Sequence, residues 1–123
     1  MAWLLRDGRV LASLEVADTR RTRRRGLLGR DGVEGALLLP RTRSVHTFGM
    51  RFALDVAHLD GSGRVLRVAT MRPHRLGRPV LGARAVLEAE AGAFARWELA
   101  VGQSLVIGGE EGEAEAEREA ATP

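Results

Sequence analysis

Three histidines, one carboxylate set in an apolar run and a crowd of arginines are the groups here that could do chemistry. His46, His58 and His74 are the only histidines, and Asp55 stands between Leu54 and Val56. A carboxylate in such a run must find partners, because burying a bare charge is expensive. Its first reading is structural, held by the backbone amides of a turn or by an arginine. Its second is a general base or a metal ligand, since both situations perturb carboxylates. The histidines show no H-x-E or H-E-x-x-H spacing, so no recognised zinc motif is present. If residues 44–52 and 54–59 paired as a hairpin about Phe52, His46 would face His58. Asp55 or Asp60 would then complete a three-ligand set. That register gives one alternative function, a metal-assisted hydrolase using His46, His58 and Asp55. A slip of one residue abolishes it.

Nucleophiles are scarce. The chain has no cysteine and no lysine, and no G-x-S-x-G elbow. Without cysteine there is neither a disulfide framework nor a thiolate metal site. Glu88 and Glu90 read as solvent-facing residues of an edge strand. The densest charge cluster is Arg20, Arg21, Arg23, Arg24, Arg25 and Arg30. It could hold phosphates, which gives nucleic-acid binding as a further alternative. Single-strand grooves, however, add aromatic stacking platforms. This chain has no tyrosine, and its few Phe and Trp residues lie elsewhere. Because all 19 basic residues are arginine, the usage reads mainly as the codon bias of a GC-rich, bacterial genome. The plain reading of the cluster is a solvated helix face.

The elements that must position these groups are mostly strands. Val10, Ala12, Leu14 and Val16 alternate with Leu11, Ser13 and Glu15, which predicts a strand with one buried face. Gly8 turns it back onto a short strand over residues 3–6. Ala36-Leu37-Leu38-Leu39, stopped by Pro40, is a short buried strand. Residues 44–52 and 54–59 read as two more. On the first of these, His46, Phe48, Met50 and Phe52 share a face. They form either core or a pocket floor with His46 and Arg51 at its rim. Asp60-Gly61-Ser62-Gly63 supplies the positive φ angles of a tight hairpin, with residues 65–70 as the return strand. Residues 85–89 and 104–107 close the series. One helix is predicted over residues 18–28, capped by Asp18 or Thr19 and followed by Gly29. A second short turn of helix is predicted over residues 94–100.

Many short strands with one or two short helices predict a mainly β domain, an antiparallel sandwich, jelly roll or barrel. The chain's 123 residues are enough for one domain with its own core. Residues 1–107 hold 18 arginines against 10 acidic residues, a net of +8, whereas residues 108–123 hold six glutamates against one arginine, a net of −5. The second stretch has almost nothing to bury and is expected to be a disordered acidic tail. The apolar N-terminal run is too short for a signal peptide, and no stretch approaches a membrane helix. A cytoplasmic protein without membrane contact, monomeric by default, is the expectation.

Taken in order, several stretches resemble the domain of unknown function family numbered 192. They are Val16-Ala17-Asp18-Thr19, Arg25-Gly26-Leu27-Leu28, and Val45-His46-Thr47-Phe48-Gly49-Met50-Arg51-Phe52. Leu54-Asp55-Val56, Leu59-Asp60, Gly63-Arg64-Val65, Arg72-Pro73-His74 and Val86-Leu87-Glu88-Ala89-Glu90-Ala91-Gly92 follow. Ala53 departs from the proline often found there. The resemblance covers residues 2–107 and implies a compact β domain of the sandwich or jelly-roll kind. It implies no activity, substrate or cofactor. The arginines and histidines beside these stretches give the leading expectation, a non-enzymatic binding or accessory module. Its partner would be a small anionic ligand or a protein segment, bound by Arg25, His46, Met50, Arg51, Asp55, Arg72 and His74. No cofactor, metal or nucleic acid is part of that reading.

Overall fold

Asp7-Gly8 is where the chain first reverses. Both residues take positive φ, 53° and 77°, which Gly adopts freely and Asp tolerates. Strand β1 (Ala2–Arg6) therefore turns straight into β2 (Arg9–Val16). These coordinates are those of a computed structural model, which describes residues 2–109. The expected tail over residues 108–123 therefore lies outside the described residues from 110 onward.

After β2 the chain crosses over to β3 (Ala36–Pro40), which lies parallel to it. A parallel partner needs such a crossover, and this one carries helix α1 (Arg20–Arg25). Thr19 caps α1: its Oγ1 accepts from the Thr22 N–H, and the Thr22 Oγ1 accepts from the Thr19 N–H. The helix is shorter than the sequence suggests. Gly26, at φ 49°, ends it by bonding its N–H to the Thr22 carbonyl, and a run of turns continues to Gly29.

Strands β4 (Leu54–Leu59) and β5 (Val65–Met71) form the expected hairpin. Asp60 Oδ1 accepts from the Ser62 and Arg64 N–H groups at 2.8 and 3.0 Å and fixes its turn. Strand β6 (Ala85–Glu90) then inserts between β4 and β3, antiparallel to both. The described sheet has seven strands in the order β5-β4-β6-β3-β2-β1-β7, with β7 spanning Val106–Gly108. Its pairings are antiparallel except for β2 with β3.

The two edges meet through one segment. Strand β7 pairs with β1, while the residues just before it bond to the start of β5: Val65 N–H to Gln103 O at 2.8 Å, and Leu105 N–H to Gly63 O at 2.9 Å. Residues 102–108 thus join the start of β5 to β1 and curl the sheet into a partly closed barrel, closed at residues 63–65 and not along the rest of β5.

Two apolar clusters follow from the alternation of side chains. Leu4, Leu14, Leu38, Ala57, Leu59, Val65, Leu87 and Leu105 fill the barrel. Phe94, from the short helix α2 (Ala93–Arg96), plugs it. Leu37, Leu39, Leu54, Val56 and Val86 project from the other face and are covered by Leu27 and Met50. Each buried leucine is worth about 2 kcal/mol of transfer free energy. Val16, expected on the buried face of β2, is 40% exposed at the strand's end.

Residues 44–52 are not a strand. Gly49 lies at φ 77° and the backbone is irregular throughout. The apparent alternation misleads: the buried positions are Thr47 and Met50, three apart, while Phe48 is half exposed. The hairpin about Phe52 does not form, because β4 pairs with β5 and β6 instead.

Candidate functional site

The irregular segment over residues 45–50 lies over the outer face of the sheet, clasped to residues 72–77. Thr47 is the buckle. It is fully buried. Its Oγ1 donates to the Arg72 carbonyl at 2.6 Å and accepts from the Arg75 N–H at 2.9 Å. Its own carbonyl accepts from the His74 N–H at 2.7 Å. Further along, the Gly77 N–H reaches the Val45 carbonyl at 2.9 Å, and His46 and Leu76 form a bridge pair. Two imidazoles serve the clasp as acceptors. His46 Nδ1 takes the Phe48 N–H and His74 Nδ1 the Gly49 N–H, both at 3.2 Å. His74 itself sits at φ 63°. Two of the stretches that carry the sequence resemblance, over residues 45–52 and 72–74, thus meet in one strap.

A cleft of about 400 Å³ opens on each side of this strap. The first runs between α1 and the strap. Arg23, Arg24 and Arg25 stand at one side, Leu27, Leu39 and Met50 give it apolar walls, and His46 and Phe48 form the other side. The His46 and Phe48 rings stack at 5.3 Å with 28° between planes. Glu88 lines this cleft from strand β6. The side chain is only 3% exposed and its Oε1 has no hydrogen-bond partner. Burial pushes the carboxyl pKa up to about 7. A side chain on Gly26 would stand 3.2 Å from Glu88 Oε1, so the bare glycine is what lets the end of α1 pack directly over that carboxyl.

The expectation that Glu88 faces solvent on an edge strand is therefore overturned. Strand β6 is central, between β3 and β4. Local sequence does not reveal strand order. The available signal was a carboxylate between Leu87 and Ala89, the same pattern that marked Asp55.

The second cleft is lined by Val56, His58 and Met71, with Arg67, Arg72, Arg75 and Arg78 around it. His58 is 5% exposed and neither ring nitrogen has a hydrogen-bond partner. Burial and the Arg67 guanidinium hold its pKa below the usual imidazole value. The Arg43 carbonyl pulls the other way without closing a hydrogen bond of normal geometry.

The residues expected to form one site are dispersed. Arg25, His46 and Met50 line the first cleft, and Arg72 lines the second. His74 holds the strap from within. Arg51 is exposed and paired to Asp31 at 2.8 Å. Asp55 lies on the opposite face of β4 from His58, three residues along. Its Oδ2 accepts from the Gly92 and Phe94 N–H groups at 2.9 and 3.0 Å, and its Oδ1 from the Thr70 hydroxyl at 2.8 Å. It therefore anchors the start of α2, in the manner of the backbone-amide reading. This geometry removes the metal-assisted hydrolase. His46 does not face His58, Asp55 points away from both, and among the described residues no three His, Asp or Glu side chains converge on a metal position.

Fold and clefts together define a small β barrel with a strapped outer face. Its sequence matches the family profile described as Uncharacterized ACR, domain of unknown function 192, over residues 2–107, and the chain belongs to that family. Among curated proteins none matches it. Two solved structures share the fold. One is a protein of unknown function from Novosphingobium aromaticivorans DSM 12444, with 22% identity, a TM-score of 0.72, and coverage of 85% of this chain and 82% of that one. The other, from Sinorhizobium meliloti 1021, is described as a candidate transcription regulator, with 19% identity, a TM-score of 0.73, and coverage of 86% and 91%. Among the described residues no helix is long and apolar enough to cross a membrane.

Proposed function

We propose that this domain is a non-enzymatic binding module whose first cleft takes a small ligand with an anionic group and a flat apolar body. The observation that carries the reading is Glu88, a buried carboxyl without a partner at the base of an arginine-lined cleft. A polar group left unsatisfied in this way is costly, and a ligand hydroxyl or carbonyl would satisfy it. Arg23, Arg24 and Arg25 suit the anionic end, since guanidinium groups bind carboxylates in fork geometry. The stacked His46 and Phe48 suit a planar ring. A concave, mostly apolar site with a few convergent polar groups is the usual form of a small-molecule pocket, and its size favours such a ligand over a protein segment.

Benzoate is the probe for the anionic end and the flat ring, and 4-hydroxybenzoate, which adds the hydroxyl that Glu88 would take, should bind more tightly. Titration followed by NMR should give saturable shifts at the Arg25 Nε–H, the Phe48 ring and the Met50 methyl. Arg24→Gln with Arg25→Gln should weaken binding about tenfold or more. Cyclohexanol, with no charge and no flat ring, should bind more weakly. Shifts that never saturate, or that are unchanged in the double variant, would refute the assignment.

A further inference from the structure

The second cleft has no place in that reading, and its chemistry differs. Its charged lining is entirely cationic: Arg67 from β5 and Arg72, Arg75 and Arg78 from the loop that follows, with no carboxylate among the lining residues. Among the described residues none of these four guanidinium groups forms a salt bridge, since the ion pairs there are Arg30 with Glu15 and Arg51 with Asp31. Arg75 Nη1 makes only long contacts, 3.4 Å to the carbonyls of Pro73 and His74. Four like charges converging on one cleft repel each other, and that cost is relieved when an anion enters.

The base of the cleft supplies the independent observation. His58 is paired across the hairpin with Arg67, so both side chains leave the same face of the sheet. The imidazole is buried, yet neither nitrogen is satisfied within the protein. Buried polar atoms are rarely left so. Val56, Ala69, Met71 and Leu76 contribute apolar surface beside the charges.

We infer that this cleft is a second binding site, built for a small phosphate monoester, with its oxygens held by Arg67, Arg72, Arg75 and Arg78 and its organic group against Val56, Met71 and Leu76. His58 then hydrogen-bonds the ester or a phosphate oxygen at the base. Guanidinium groups bind phosphate with bidentate geometry as well as charge. The volume of about 400 Å³ suits a single ring bearing one phosphate. Because strap residues 45 and 46 border the first cleft and residues 76 and 77 the second, the two sites share a wall without sharing arginines.

Calorimetric titration of the full chain with phenyl phosphate and with inorganic phosphate, at pH 7.5 and low salt, tests this. With the first cleft saturated by benzoate, phenyl phosphate should bind one-to-one and at least tenfold more tightly than inorganic phosphate. Arg72→Gln and Arg78→Gln should each weaken it about tenfold. Both residues are exposed, so their variants should keep the parent's melting temperature. Arg24→Gln, at the other cleft, should leave it unchanged. His58→Phe, which preserves bulk, should reduce the preference for the monoester. Equal affinity for the two probes would overturn the inference, as would a loss of binding in Arg24→Gln matching that in Arg78→Gln. Benzoate binding at the first cleft is read separately, so either site can fail without the other.

Discussion

Glu88 and His58 leave the same face of the sheet one strand apart. Glu88 stands opposite Val56, and His58 opposite Val86, which makes them diagonal neighbours across the β4–β6 pair. Each is buried without a partner, and each lines the cleft on its own side of the strap.

Their titrations act oppositely on stability. The folded-state pKa of Glu88, about 7 against an ordinary 4.5, means that the native state holds its proton more tightly than the unfolded chain. The contribution of Glu88 to stability is full below about pH 4.5 and falls as pH rises through 7, by about 3 kcal/mol in all. Glu88→Gln should remove that decline. Denaturant midpoints at pH 5 and pH 8 should differ clearly in the parent and much less in the variant. His58, with its pKa lowered, contributes stability that is present above the ordinary imidazole range and lost as pH falls below it. His58→Phe should therefore flatten the acid side only. An unchanged pH profile in both variants would contradict the burial described.

Asp55→Ala should destabilise the domain by about 3 kcal/mol, because the N–H groups of Gly92 and Phe94 and the Thr70 hydroxyl lose their acceptor together. Phe94 then plugs the barrel less firmly. Urea midpoints report the loss. Phenyl phosphate affinity, measured well below the transition, should not change.

Leu14 is 5% exposed within the barrel cluster. Leu14→Asp removes that burial and places a carboxylate among leucines, at a cost of about 4 kcal/mol or more. A domain of this size has about 5–15 kcal/mol in total. Near-ultraviolet circular dichroism should show largely lost tertiary packing, or a melting temperature many degrees lower.

Gly63 combines φ 89° with a backbone approach so close that a Cβ would collide with the Leu105 carbonyl oxygen. Gly63→Ala should therefore cost about 2 kcal/mol or more. Gly61→Ala, where the nearest neighbour is an Arg84 side-chain carbon at 3.7 Å, is the control and should cost much less. Hydrogen exchange at the Val65 and Leu105 amides should quicken in Gly63→Ala alone.

Much of the fold was legible because strand alternation and turn chemistry are local. The Asp60 hairpin, the Thr19 cap, the buried run over residues 36–39 and the burial of Leu14 all follow from neighbours within a few residues. The backbone-amide role of Asp55 was legible too, since a carboxylate between Leu54 and Val56 admits few partners. Failures came where distant chain decides. Strand β6 lands between β3 and β4, beneath the layer that Gly26, Leu27 and Met50 lay over that face, and the two together bury Glu88. The segment over residues 44–52 alternates like a strand, but the carbonyls of Arg72 and Arg75 capture Thr47 and bend it into a strap. The same strap separates Arg25 from Arg72, which is why one expected site became two clefts.

Closure by residues 102–108 has a consequence for synthesis. The first strand made, β1, and the hairpin strand β5 must both wait for a segment that leaves the ribosome after nearly every other described residue. Until then the nascent chain carries two unpaired strand edges, each a template for pairing with another chain. Contacts between residues 3–5 and 106–108 are also among the longest loops the domain closes, a topology that slows folding. The barrel is therefore safest from misassembly only once its final strand is in place, and variants that weaken this seam should aggregate during expression before they lose stability once folded.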